Sequence, residues 1–450
     1  MPMHFKSISW LRNAAKIALP VAAVASIFLA HLYAGAYSDP ASIILAGFMS
    51  LLALLSLGIL RPPNSYFSSP IIFLLASLGA IPSLIAVYQL LHPGFDREYA
   101  FHGLLRLTAL NLTFIVGLTI ASDDLSMKVM RRSFVSGLLL FSSVTLILYI
   151  AQLLGWLDPN PDLETDRLFR PLMSPNSTAL ALAIACCIGL PVLLSEGHIS
   201  TQRGDDRLRT NFWRGIALVG IVISALDITL TRSRACIALC VIVAVAVWAA
   251  SRLRTAKRWL ILGTPALVGG GLLFWLIVFS RIGGVAGAAA LRAQIIAAHR
   301  QWLFDRPVAG HGFGSFVSLN RRAISYGNFN ALFNISAMHN VYLQWFEQAG
   351  LIASVAFGIC FVLIFIYLLA GNSTGRRGSK YWIIGAVCAF AISLGQGLVD
   401  IGFEHFSIVA NLALVLGTAF GILRRRQLRA LMTEHALGQK GDLNDRPLEC

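Results

Sequence analysis

Residues 70–91 read PIIFLLASLGAIPSLIAVYQLL, with no charged side chain among them. As a helix rising about 1.5 Å per residue, this run crosses a hydrocarbon core about 30 Å thick. In lipid every backbone N–H and C=O must be satisfied within the protein, and a run of this length does so as a helix. Comparable runs recur near 14–36, 41–60, 102–121, 133–156, 178–196, 213–230, 235–251, 259–280, 346–370, 382–399 and 405–423. Together they make about twelve spans. The 450 residues are 57% hydrophobic and 13% charged, with mean hydropathy +0.72. No water-soluble domain needs so much apolar surface. The fold class expected is an all-α polytopic membrane protein.

The first run follows Lys6, Arg12 and Lys16, as in a signal peptide, but is too long for one and is expected to remain as an anchor. A net charge of +15 would suggest nucleic acid if the basic residues were clustered at random. With the N-terminus in the cytoplasm, most of them instead fall in cytoplasmic connections: Arg61, 128–132, 203–214, 252–258, 376–380 and the tail. That is the positive-inside pattern, so the charge sets orientation, attracts anionic lipid, and requires no nucleic acid. Both termini are then cytoplasmic. Cys186, Cys187, Cys236, Cys240, Cys360 and Cys388 lie inside spans and Cys450 ends the chain, so these read as packing residues, with neither disulfide nor zinc spacing.

Most connections are short, giving one membrane domain over 1–423 and a charged, loosely ordered cytoplasmic tail over 424–450. The exception is 281–345, a loop on the outer side. Within it a helix is expected over 287–304. Leu291, Ile295, Ala298 and Trp302 form its apolar stripe, with Arg292, Ile296, His299 and Leu303 beside them. Asp305 and Pro307 end it. Gly310-His311-Gly312-Phe313-Gly314 reads as a flexible turn. It is no phosphate loop, because no strand precedes it and no Gly-Lys-Ser/Thr follows. The chain re-enters the membrane at Met338-His339-Asn340.

Thr231-Arg232-Ser233-Arg234 is a tight outer hairpin between two abutting spans. A guanidinium there either snorkels to the interface or offers a fork of donors to phosphate oxygens. Asp227, inside the preceding run, is expected to pair with Arg232 or Arg234; Arg106 and Asn111 are expected to have structural partners. Arg292 is solvated charge or an anion ligand. His339 is a structural interfacial residue or a base, histidine being suited to proton transfer near neutral pH.

These residues resemble the O-antigen ligase and O-antigen polymerase superfamily. Leu230-Thr231-Arg232-Ser233-Arg234-Ala235 resembles its Ser-Arg signature. Arg292, Pro307 and Gly310-x-Gly312-x-Gly314-x-Phe316 resemble its Arg…Pro…Gly-x-Gly…Phe stretch. His339-Asn340-x-x-Leu343-x-x-x-Glu347-x-x-Gly350-Leu351-Ile352 resembles its His-Asn motif, and Phe169 to Pro175-Asn176-x-x-Ala179 its Pro-Asn loop. The similarity covers about 165–365 in matching order. Ile296 stands where a tryptophan is common, and Arg234 and Arg292 are unusually close in sequence.

The resemblance implies a GT-C-like membrane glycosyltransferase at the periplasmic face of a bacterial inner membrane. Its donor would be a glycan on undecaprenyl diphosphate, and its acceptor a lipid A-core-type glycolipid or a glycan. Arg234 and Arg292 would hold the diphosphate and stabilise it as leaving group. His339 would be the base, giving inversion without metal or cofactor. Arg232, Ser233, Asn340, Arg170, Asn176 and Arg321 are the accompanying candidates for substrate binding. Within the class, a polymerase joining lipid-linked repeat units is the alternative, and a protein O-glycosyltransferase is disfavoured for want of a further large outer domain. Outside it, a non-enzymatic transporter of the lipid-linked glycan is the rival, disfavoured because no internal repeat is visible and few intramembrane charges line a path.

Overall fold

The computed structural model describes residues 3–36, 39–157, 167–195, 204–252, 282–333, 335–371 and 377–444. All regular structure among them is helical. The first half contains α1 (Met3–Leu32), α2 (Asp39–Leu55, extended by a π turn to Leu60), short α3 (Asn64–Phe67), α4 (Pro70–Leu91), α5 (Arg97–Ile120), α6 (Asp124–Leu153), α7 (Pro175–Ser195), α8 (Gly204–Thr231) and α9 (Arg234–Arg252). The segment between α9 and α13 carries α10 (Ile282–Asp305), α11 (Phe316–Ala323) and α12 (Phe329–Leu332). Three long helices close the chain: α13 (Val341–Ala370), α14 (Arg377–Gly397) and α15 (Phe406–Asn444).

Among the described residues, 9 helices are long and apolar enough to cross a membrane: α1, α2, α4 to α8, α13 and α15. The expected spans 235–251 and 382–399 fall on helices α9 and α14, which are not among those nine, while 259–280 lies outside the described residues. The protein is an all-α, multi-pass membrane protein. Polar residues punctuate the runs: Asp96 caps α5 by accepting from the Glu98 and Tyr99 amides, and Asp123 caps α6 by accepting from Ser126.

Burial sorts the helices into centre and rim. The spanning window of α15 is 89% buried and that of α7 72%, against 17% for α4, so α7 and α15 form the interior and α4 faces lipid. The crossing of α15 with α5 depends on Gly417-x-x-x-Gly421. A Cβ at Gly417 would collide with the Phe114 carbonyl, and one at Gly421 with the Leu118 carbonyl. Small residues one turn apart let two backbones touch, which is how helices associate where lipid is as apolar as the side chains.

Connections segregate to two faces. At the basic face Lys16 pairs with Asp123 at 2.8 Å, Arg425 and Arg429 pair with Asp124 at 2.7 and 2.8 Å, and Arg12 donates to the Leu60 carbonyl. Arg424 donates to the Tyr66 and Ser65 carbonyls. These contacts explain one correction: the expected loose tail is helical as far as Asn444, because its first charged turns are docked on the bundle. At the opposite face the loops after α4 and α14 meet the segment between α9 and α13. Gln89 donates to Ala309, Arg306 to Gly94, and Asn340 to Leu398.

Candidate functional site

The hairpin between α8 and α9 is built by Thr231. Its hydroxyl donates to the Ile228 carbonyl at 2.6 Å and accepts from the Ser233 amide at 3.2 Å. Arg232 takes a left-handed φ of 52°, unusual for a residue with a Cβ. Ser233 is buried, with no hydrogen-bond partner for its hydroxyl, while Arg232 and Arg234 are half-buried. The loop before α7 lies on this turn: the Leu168 amide donates to Leu230 O at 3.1 Å, and Arg167 Nε to Thr231 O at 3.0 Å. Thr178 then ties α7 to the Phe169 carbonyl. Arg170, whose guanidinium lies over the Phe169 ring, and half-buried Asn176 thus share a neighbourhood with the hairpin. Ser174-Pro175 is a helix start, Ser174 Oγ accepting from the Ser177 amide. Asp227 does not pair as expected: it is fully buried and neither carboxylate oxygen has a hydrogen-bond partner.

His339, like Arg232, takes a left-handed backbone, with φ 56°. Such strain persists only where surroundings over-determine it, and here they do. Asn340 caps α13 by accepting from Leu343 N at 3.0 Å and donates to the Leu398 carbonyl at 3.1 Å. Its amide is therefore largely committed to architecture. Gln344 accepts from the Met338 amide at 2.8 Å and donates to Glu404 at 2.5 Å. His339 Nδ1 stands 3.4 Å from Asp400 Oδ1, an ion-pair distance without the alignment of a formed hydrogen bond. Asp400 is buried and His339 half-buried, which leaves Nε2 as the ring nitrogen available to a substrate.

The connection between α14 and α15 therefore supplies what the sequence reading missed. It carries Asp400, Glu404 and His405 between two apolar runs, a polar cluster in a chain poor in acids. Burial raises Glu404 above the ordinary carboxylate range, opposed by the Arg106 charge. Arg106 also donates to Ser42 at 3.0 Å, and Asn111 donates to the Gly79 carbonyl, the structural partners expected for both. The C-terminal end of α14 links the two halves of the site. Its Leu394 carbonyl accepts from the Tyr342 hydroxyl at 2.7 Å, and at its Gly395 any Cβ would crowd the Leu239 side chain of α9.

Arg292 lies on α10, half-buried, and its Nε has no hydrogen-bond partner. The buried face of α10 is Ile295, His299 and Leu303, whereas Leu291 is 38% exposed; the apolar stripe expected through Leu291 is thus rotated, and Arg292 edges the buried face. Arg321 is exposed in the last turn of α11, where a basic side chain suits the helix dipole, and nothing ties it to the other candidates.

The glycine loop is fixed in place. α13 breaks at Gly350 (φ 76°, ψ −178°), a conformation restricted to glycine. The carbonyls bordering the break accept from His311 N at 2.8 Å and Gly312 N at 2.9 Å, and Leu351 N donates to Pro307 O at 2.7 Å. Gln89 closes the arrangement from α4, donating to Ala309 and Gln348 and accepting from Phe313 N. Gly310 approaches the Gln348 backbone too closely for any Cβ. A loop expected to be flexible is held by backbone pairing into an interrupted helix.

No family model matches the chain, and no curated protein matches it either.

Proposed function

We propose that the protein is an O-antigen ligase-like glycosyltransferase. It moves a polysaccharide from undecaprenyl diphosphate to a lipid A-core-type acceptor at the periplasmic face of a bacterial inner membrane. In this reading about twelve spans in a GT-C-like arrangement hold both termini in the cytoplasm. The observation that carries it is His339, pinned in a strained backbone at the outer rim with buried Asp400 behind Nδ1.

The acceptor hydroxyl gives its proton to His339 Nε2 as its oxygen attacks the anomeric carbon. The bond from that carbon to the diphosphate breaks on the opposite side, so the configuration inverts and undecaprenyl diphosphate leaves. Asp400 orients the ring and compensates the charge it gains. Arg292, with an unused buried Nε, and Arg234 at the hairpin face the growing charge of the leaving group.

Purified protein, given lipid-linked glycan and acceptor, is expected to form product, and His339→Ala and Arg292→Ala to lose it while staying folded. Unchanged turnover in either variant removes that residue's role. In a deletion strain, long glycan left on the carrier identifies a ligase. Single repeat units on the final acceptor identify a polymerase.

A further inference from the structure

A buried polar hub joins α10 and α11 to α13, and the reaction above does not use it. His299 and Glu347 are 0% and 1% exposed, with Nδ1 and Oε1 at 2.6 Å. His299 Nε2 is 3.2 Å from Asn320 Oδ1. Asn320 donates through Nδ2 to the Leu332 and Ile335 carbonyls at 2.9 and 3.1 Å, which fixes its amide orientation. Its Oδ1 therefore faces the ring as an acceptor, and Nε2 must carry a hydrogen. With that nitrogen committed, Nδ1 and the carboxyl meet across a second, shared proton. Phe316 stacks on the imidazole at 4.6 Å and 8°. The ring is clamped from α11 and α13 at once, and the end of α12 holds the Asn320 amide against it.

This hub is an expensive way to fill space. Glu347 Oε2 is buried with no hydrogen-bond partner, and a pair of apolar side chains would pack without that penalty. Buried ionisable pairs are weak contributors to stability, and fixing register is their best-attested use. The register at stake is visible along both helices. Arg292 precedes His299 by about two turns of α10, and Asn340 precedes Glu347 by about two turns of α13. We propose that His299 and Glu347 are a positioning pair that sets where Arg292 stands relative to His339. The Glu347 carbonyl also accepts from His311 N, so the same residue seats the glycine loop.

The inference rests on the transfer reaction proposed above. Its test compares wild type with the double variant His299→Leu/Glu347→Leu and with Glu347→Gln, each also combined with Arg292→Ala. Thermal stability, kcat and KM for the lipid-linked glycan are the readouts. The apolar pair is expected to leave the protein folded and to lower kcat by about 10²-fold, the scale of a misplaced catalytic group. In the Arg292→Ala background it should add little, because both changes act through the same guanidinium. Wild-type kcat in the apolar pair overturns the proposal, as do losses that multiply with that of Arg292→Ala or simply track unfolding. Should the double variant not fold, Glu347→Gln keeps the shape and gives the same contrast. If wild-type protein transfers nothing, the transfer reading fails on its own. The pair is then tested by pulsed-EPR distances between labels at Gln301 and Leu351 on a background with the native cysteines replaced. A narrow distribution that broadens in Glu347→Gln supports positioning, and one that does not broaden overturns it.

Discussion

The two faces of the bundle treat charge in opposite ways. At the basic face Lys16, Arg425 and Arg429 each meet a carboxylate within 2.8 Å, and Arg424 is held by backbone carbonyls. At the opposite face, residues 282–345 contain Arg292, Arg300, Arg306, Arg321 and Arg322 but only one acid, Asp305, and no lysine. Two acids of this face, Asp400 and Glu404, are buried against His339, Gln344 and Arg106. Charge at the first face docks helices on one another. At the second it stands with few acids in the same segment, as the proposed anionic donor would require. Both left-handed candidates, Arg232 and His339, are also on the second face.

Substitutions should separate the faces by the size and kind of their effects. The largest is expected for His339→Asn, which tolerates the left-handed backbone better than alanine but removes the base. Transfer should fall by about 10²–10⁴-fold with thermal stability retained, checked by turnover and melting in detergent. Arg292→Ala should cost about 10²–10³-fold in kcat. Asp400→Asn keeps the volume and removes the charge behind Nδ1, and should lower kcat by about 10–10²-fold with KM little changed. If any of these three acts only through stability, the contrast between the faces breaks.

Two smaller effects bear on stability alone. Burial pushes the His405 imidazole down to about 4, against the Ala34 carbonyl and the Asp400 charge, which favour protonation. The folded protein prefers the neutral ring, whereas the unfolded chain protonates near pH 6.5. Stability is therefore lost as pH falls from about 6.5 to about 4, by on the order of 3 kcal/mol. His405→Gln should flatten melting temperature across that window. At the basic face, burial raises the Asp123 carboxyl, but Lys16 and Ser126 outweigh it and hold it below the ordinary value. Its contribution is present above about pH 4 and lost in acid. The pair is partly exposed, so Lys16→Ala should cost at most about 1 kcal/mol and leave turnover unchanged.

Hydrophobic runs and caps made most of the helices legible, because each depends on neighbours along the chain. The hairpin at Thr231 and the helix ending at Asp305 were legible for the same reason. Contacts between distant residues were not. Asp400 reaches His339, and His299 reaches Glu347, across long stretches whose pairing no periodicity encodes. The break at Gly350 hides inside a continuous apolar run, since hydropathy is blind to φ. Its signal was the glycine spacing at 310–314, whose meaning is close backbone approach. Gly417-x-x-x-Gly421 was likewise present in the sequence as a packing motif, and its partner, the α5 backbone, could be assigned only in three dimensions.

The proposed transfer at the face around His339 runs by direct displacement. It is tested by NMR of the anomeric configuration in product made by the purified protein from a carrier-linked glycan of known linkage. Product with the configuration inverted relative to the carrier phosphate is expected, and none from His339→Asn. Retention of configuration, or full product from the variant, would contradict it.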